Sequence, residues 1–212
     1  MNGNPNPKEH LPSNMTIDYY QQNADEFFNG TINVDMSNIY QHFTIRLPIG
    51  SLILDAGCGS GRDSKAFLEM GYRVEAFDAS SEMAKRASVH TNLNIKHAAF
   101  EDVNDIDKYD AIWCCASLLH VPESQLQQTL DQLSQALKMN GIWYLSFKYG
   151  DSQREKGGRM FTDINENRLM SLVKPLNNIK LQQSWVTQDN RPDKNEKWLN
   201  ALLIKTLLKQ QF

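Results

Sequence analysis

Leu52-Ile53-Leu54-Asp55-Ala56-Gly57-Cys58-Gly59-Ser60-Gly61-Arg62-Asp63 is an apolar run that enters a turn with glycine at alternate positions. A short continuous apolar run of this kind suits a strand buried on both faces, as in a parallel sheet. Glycine lacks Cβ, so the backbone after the strand can turn sharply and approach a ligand closely. Seventeen residues past Gly61, a second strand-like run, Tyr72 to Phe77, ends on Asp78. An acid at the end of the next strand can accept hydrogen bonds from both hydroxyls of a ribose. Glycine turn and acid together describe a pocket for a nucleoside-containing cofactor.

Outward from this stretch, strands and helices alternate. Helices are expected over Thr16–Asn29, Ser37–Arg46, Asp63–Met70 and from Ser80 or Ser81 past Met83 and Ala87. Gly71 closes the third of these as a C′ glycine, and the serines are good N-caps for the fourth. Further strands are expected at Ile95–Ala99, Asp110–Cys115 and Ile142–Phe147. A long amphipathic helix over Glu123–Met139 carries Leu126, Leu130, Leu133 and Leu137 on one stripe and stops at Asn140-Gly141. Beyond Tyr149, Asp151–Gly158 reads as a polar loop, Asn165–Val173 as a helix, and Leu181–Thr187 with Leu199–Leu208 as a closing strand pair. The order predicts an α/β, Rossmann-like, doubly wound sheet, mostly parallel, with helices on both faces and an antiparallel edge.

Length favours one domain: a disordered Asn/Pro-rich leader at 1–14, a helical lid at 15–50, a cofactor-binding core at 51–150 and a substrate side with closing strands at 151–212. No apolar run approaches the ~20 residues that span a bilayer, and no secretory h-region is present. No membrane partner and a cytoplasmic location are therefore expected. The cysteines are Cys58, Cys114 and Cys115. An odd count with no CxxC spacing argues against a disulfide framework or a metal site, and Cys114-Cys115 reads as small apolar filling. Net charge is −3, yet residues 138–212 carry 13 Lys/Arg against 7 Asp/Glu. The plainer reading is a solvated basic surface; the sharper one is a face for an anionic partner.

The glycine pattern excludes two common nucleotide loops. A dinucleotide fingerprint wants a third glycine where this chain has Arg62, and no Gly-Lys-Ser/Thr follows for a Walker loop. Asp55 would repel a pyrophosphate but suits a ligand bearing an ammonium and a sulfonium.

Leu54-Asp55-Ala56-Gly57-Cys58-Gly59-Ser60-Gly61 resembles motif I of the class I S-adenosylmethionine-dependent methyltransferases. Asp78 resembles the ribose-binding acid of that family, Tyr109-Asp110-Ala111-Ile112 its strand-four segment, and Leu137-Lys138-Met139-Asn140-Gly141 its "LKPGG" turn, with Met139-Asn140 in place of Pro-Gly. The match runs over roughly residues 51 to 147 and is most similar to compact single-domain members, including tellurite-resistance-like enzymes.

The resemblance implies S-adenosyl-L-methionine as cofactor. It implies that Gly57, Gly59 and Gly61 face the methionine part, Asp55 the amino group and Asp78 the ribose. Ala79 and Met83 would lie against adenine, with Phe100 and Glu101 taking the place where Ala99 stands instead of an acid. Cys115 and Ala116 would line the reactive end, and Tyr20 would belong to a lid helix. On the substrate side the candidates are Lys148, Tyr149 and Arg159; Arg159 could bring a guanidinium to an anion or pair with Asp163. His120, after strand four, could act as a base or hold its loop. The expected acceptor is a small molecule, with RNA (tRNA) methylation or non-catalytic cofactor binding as alternatives, and the chain is expected to be a monomer or homodimer.

Overall fold

The computed structural model describes residues 12–191 and 194–207. Most of the expected leader lies outside the described residues; helix α1 opens at Pro12. The N-terminal helical stretch is three helices: α1 (Pro12–Gln22), α2 (Ala24–Thr31) and α3 (Ser37–Thr44). Asn23 breaks the single helix expected there, with its side-chain amide donating back to the Tyr19 carbonyl at 2.8 Å, a local bond that competes with helix propagation.

The core then alternates β1 (Leu52–Ala56), α4 (Arg62–Glu69), β2 (Arg73–Asp78), α5 (Ser81–Thr91), β3 (Lys96–His97), β4 (Tyr109–Cys114), α6 (Glu123–Ala136) and β5 (Leu137–Lys148). The C-terminal part adds β6 (Gln153–Lys156), β7 (Arg159–Thr162), α7 (Glu166–Val173), β8 (Ile179–Gln188) and β9 (Lys197–Lys205). One sheet has strand order β3-β2-β1-β4-β5-β9-β8. Its β3-to-β5 part is parallel, and β9 and β8 close the edge antiparallel. The order reverses beside β1, so the carboxyl ends of β1 and β4 flank a crevice.

Side chains alternate across the sheet, as the strand period demands. Ile53, Ala111, Trp113 and Tyr144 face α3, α4 and α5, while Leu54, Ile112, Trp143 and Leu145 face α6 and α7. Trp113 stacks on Tyr144 at 4.0 Å between centroids and meets Phe43 and Phe67 edge-on, at 4.9 and 5.1 Å.

Two expectations are corrected here. The long helix ends at Ala136 rather than Met139, because Leu137 already pairs with Tyr109 in the sheet. Asn140, at φ +62°, and Gly141 then shape a kink inside β5, and a Cβ on Gly141 would sit 2.7 Å from the Lys138 carbonyl. Second, Asp151–Gly158 is not a loop throughout. Gln153–Lys156 pairs with Arg159–Thr162 around Gly157-Gly158, whose φ angles of +59° and +73° suit the tight two-residue hairpin turn.

Candidate cofactor and acceptor site

The turn after β1 is fixed by its backbone. The Gly57 and Cys58 amides donate to the Phe77 carbonyl at 3.0 and 2.9 Å, and Gly61 N-caps α4. Gly57, Gly59 and Gly61 have φ of +77°, +55° and +75°, a region that side chains rarely enter. The three glycines serve different needs. A Cβ on Gly57 would lie 2.6 Å from Ser117 Cβ, and one on Gly61 2.9 Å from Thr91 and 3.0 Å from Ala87. Those two let β1 approach β4's exit and α5. A Cβ on Gly59 would instead meet Phe27 of α2, at 3.4 Å.

Asp78 stands at the end of β2 with Oδ2 accepting from the Gly59 amide at 2.8 Å and Oδ1 from the Ser80 amide at 2.9 Å. Burial raises its pKa despite these bonds. Each oxygen keeps lone-pair capacity for a ribose hydroxyl. Ser80 caps α5, accepting from the Met83 amide at 3.2 Å, which places buried Met83 in the first turn beside Asp78. Ala79 receives His97 Nε2 on its carbonyl at 3.1 Å. Phe100 is half-buried and meets Phe77 edge-on at 5.5 Å; Glu101, on the same short 3₁₀ turn, is exposed.

Asp55 is buried and accepts from the Ser64 hydroxyl at 2.6 Å. Burial and the charge of Asp63 push its carboxyl up to about 8. Burial acts on Asp63 too, yet Arg62 at 2.6 Å, together with hydrogen bonds from Tyr40 (2.6 Å) and Trp113 (2.8 Å), holds it low. This network, absent from the sequence reading, ties α3 and α4 to β4. Among the described residues it leaves Asp55 buried with no cation paired to it, which fits an ammonium group at the glycine turn. Ser117 Oγ, a buried hydroxyl without a partner among the described residues, lies against the same turn.

The exit of β4 is strained. Ala116 has φ +53°, with its amide bonded to Ser146 Oγ at 2.9 Å. A non-glycine residue held there costs about 1–3 kcal/mol and such strain clusters at functional sites. Cys114 and Cys115 are buried enough that both thiols are pushed well up, so neither is a thiolate near neutrality.

Helices α1 and α2 dock on this region at several points. Gln21 accepts from the Ser80 hydroxyl at 2.8 Å, Thr31 donates to Ser60 at 3.1 Å, and Thr16 accepts from the Met160 amide at 3.0 Å. Tyr20 Oη lies 2.8 Å from His120 Nε2, and His120 Nδ1 lies 2.8 Å from the Met160 carbonyl. The carbonyl only accepts, so Nδ1 carries the proton, Nε2 accepts, and Tyr20 donates. Burial pushes His120 down to about 4; its bond to Met160 opposes this, and the charges of Arg159 and Lys148 add to it. Tyr20 also meets Phe27 edge-on at 4.8 Å, which links His120 to Gly59.

Of the acceptor-side candidates, Arg159 joins this group. Its guanidinium lies 4.3 Å from the Tyr19 ring centre and 5.8 Å from that of Tyr20. It does not pair with Asp163, which takes Arg154 at 2.6 Å. Lys148 is buried, 2.6 Å from Glu196 and 4.3 Å from the Phe161 ring centre. Tyr149 turns to the surface and donates to Glu166 at 2.9 Å, apart from this cluster. The sequence reading missed Gln21, Phe27 and the hairpin. Only the hairpin had a local signal, Gly157-Gly158 between two four-residue runs.

Residues 53–141 match a family described as a methyltransferase domain. Ubiquinone biosynthesis O-methyltransferases are similar over part of the chain. That of Xanthomonas axonopodis pv. citri is 31% identical over 83 residues, 36% of this chain and 35% of the relative. That of Xylella fastidiosa is 32% identical over 109 residues, 48% and 44% respectively. The chain thus spans less than half the length of these relatives. Among solved structures, a Burkholderia thailandensis 1,6-didemethyltoxoflavin-N1-methyltransferase, bound to 1,6-didemethyltoxoflavin and S-adenosylhomocysteine, superposes with a TM-score of 0.79 at 20% identity, covering 97% of this chain and 94% of that one. Magnesium protoporphyrin IX methyltransferase from Synechocystis PCC 6803, with S-adenosylmethionine bound, gives 0.61 at 18% identity, covering 96% and 87%. These two likenesses speak to the fold. The strand order, the glycine turn and the likeness to these structures give the chain a Rossmann-like methyltransferase fold, within which residues 53–141 match a methyltransferase domain.

Proposed function

We propose that this chain transfers a methyl group from S-adenosyl-L-methionine to a small-molecule acceptor. The observation that carries the reading is Asp78, set by β2 so that its carboxylate accepts from the Gly59 amide at 2.8 Å. That contact brings the ribose-holding acid onto the glycine turn. Gly59 would lie along the methionine part, Asp55 would meet the ammonium, and Phe100 and Met83 would flank adenine. The bound cofactor supplies an electrophilic methyl on a sulfonium.

The chain's own contribution is alignment and exclusion of water. Tyr20 and Phe27 close over the turn, and Ala116 and Cys115 line the side toward β4. His120 is neutral near pH 7 and its Nε2 lone pair is taken by Tyr20. The role supported for it is to hold Tyr20 in place, ahead of accepting a proton from substrate.

The small-molecule reading is supported by the charge pairing in the C-terminal part. Lys138, Lys148, Arg154, Lys156, Arg168, Arg191 and Lys205 each meet a carboxylate. Asp110, Glu123 and Asp107, from outside this segment, offset three of its six excess charges, which halves the unpaired basic charge on offer to RNA. The toxoflavin-type neighbour, which binds a small heterocycle, points the same way. No helix among the described residues is long and apolar enough to cross a membrane.

The test is titration with S-adenosylhomocysteine by calorimetry, then incubation with methyl-labelled cofactor in a cell extract fractionated into metabolites, RNA and protein. Label in the metabolite fraction supports the reading. Label in RNA refutes the acceptor class. Cofactor binding without transfer to any fraction refutes catalysis, and absence of cofactor binding refutes the whole reading.

A further inference from the structure

Three cations surround one ring. Lys148 Nζ, Arg159 Cζ and Arg154 Cζ lie 4.3, 5.2 and 5.3 Å from the centre of Phe161. Two are neutralised, Lys148 by Glu196 at 2.6 Å and Arg154 by Asp163 at 2.6 Å. Glu196 also takes Lys156, at 3.1 Å. Arg159 makes no ion pair among the described residues, and its Nε is buried with no hydrogen-bond partner among them. A buried donor left unsatisfied calls for an explanation, and a bound anion is a leading one. Guanidinium also presents a planar fork that matches a carboxylate.

Arg159 is held rigidly. It is the first residue of β7, paired with Lys156 across the Gly157-Gly158 turn. The next residue, Met160, is clamped through its amide by Thr16 and through its carbonyl by His120. The neighbouring groups are flat: Tyr19, Tyr20 and Phe161 lie around the guanidinium, and His120 packs on Phe161 at 5.0 Å and on Tyr20 at 5.4 Å. His120 adds no charge to this group, being neutral, so the cation of Arg159 stands uncompensated. Tyr20 meets Phe27, which lies against Gly59, so two rings connect this cluster to the glycine turn.

We propose that Arg159 is the anion-binding group of the acceptor subsite, and that the acceptor is a planar aromatic compound carrying a carboxylate or an equivalent anionic oxygen pair. The proposal rests on the methyltransferase reading above and narrows its substrate class. The same fork could instead hold the carboxylate of the cofactor's methionine part. The position of Arg159 beyond Tyr20, next to Lys148 at the end of β5, assigns it to the acceptor.

The test uses the full chain loaded with S-adenosylhomocysteine. Benzoate and salicylate are titrated at millimolar concentration while the arginine Nε–Hε signals are followed by NMR, with benzamide as the uncharged control. A saturable shift is expected in one signal that is missing from Arg159→Gln, with benzamide producing none. Calorimetry should show Arg159→Gln binding the carboxylates at least about tenfold more weakly, Arg159→Lys recovering part of the loss, and S-adenosylhomocysteine affinity within about twofold of the parent in both. If neither carboxylate shifts that signal in protein that binds S-adenosylhomocysteine, the subsite is refuted and the methyltransferase reading stands. If Arg159→Gln weakens S-adenosylhomocysteine about tenfold, the anion is the cofactor's own and the acceptor assignment is overturned. If the parent protein does not bind S-adenosylhomocysteine, the underlying reading has failed first.

Discussion

Acidification through the range where a free histidine gains its proton should destabilise this protein through His120, and replacing that residue should remove the effect. In the folded chain Nδ1–H donates to the Met160 carbonyl and Nε2 accepts from Tyr20. A second proton on Nε2 could be tolerated geometrically, because the tyrosine hydroxyl can turn and accept. What opposes it is burial, reinforced by the charges of Arg159 and Lys148, and the pKa falls to about 4. Between pH 6.5 and about 4 the unfolded chain then binds a proton that the folded chain does not. Stability therefore rises with pH across that window and is lost as pH falls through it. The full difference corresponds to about 3 kcal/mol, trimmed to roughly 1–3 kcal/mol because solvent reaches part of the ring. Urea unfolding at a series of pH values measures it, compared with His120→Gln, whose amide can still donate and accept. The parent should lose roughly 1–3 kcal/mol more than the variant between pH 6.5 and 4. Equal losses in the two proteins would refute the neutral, buried imidazole, and with it the argument that His120 positions Tyr20.

Other consequences follow from the same geometry. Asp78→Asn should weaken S-adenosylhomocysteine binding by about 1.5–3 kcal/mol, the scale of hydrogen bonds to a charged group; unchanged affinity by calorimetry would remove Asp78 from the site. Asp55, pushed up to about 8, is protonated near pH 7, and an ammonium placed beside it favours its ionised form. Cofactor binding at pH 7 should therefore release close to one proton, seen as a dependence of the calorimetric enthalpy on the buffer's ionisation heat; no dependence would contradict the assignment. Gly57→Ala should cost about 2–4 kcal/mol, combining a left-handed φ with a Cβ 2.6 Å from Ser117 Cβ. Gly157→Ala, equally left-handed but opening onto free space, should cost only about 1–2 kcal/mol in the same unfolding assay.

The legible parts of this chain are those where function depends on neighbours in sequence. Leu52 to Gly61 announces a buried strand and a glycine turn because strand burial and positive φ are local demands. Asp78 is readable for the same reason, as the residue where the next strand stops. The end of α6 was misplaced by three residues because Leu137 to Met139 is as compatible with a helix as with a strand, and only pairing with β4 decides between them. The β6–β7 hairpin hid behind the polar run Gln153–Lys156, since β6 buries little of its own, while β7 gains its place from α1 and His120.

The amino-acid sequence by itself determined the alternating strand–helix order, the glycine turn and the acid that faces it, because backbone conformation and hydrophobic period act over a few residues. Tertiary structure alone decided which carboxylates are paired and which cation is left over. Arg154 rather than Arg159 reaches Asp163, and Asp63 rather than Asp55 receives Arg62. Electrostatic partners are chosen by distance in space: Arg62 and Arg154 select among acids a few positions away according to where the folded backbone points each side chain, and Lys205 meets Asp107, 98 positions away, only once β9 has paired with β5.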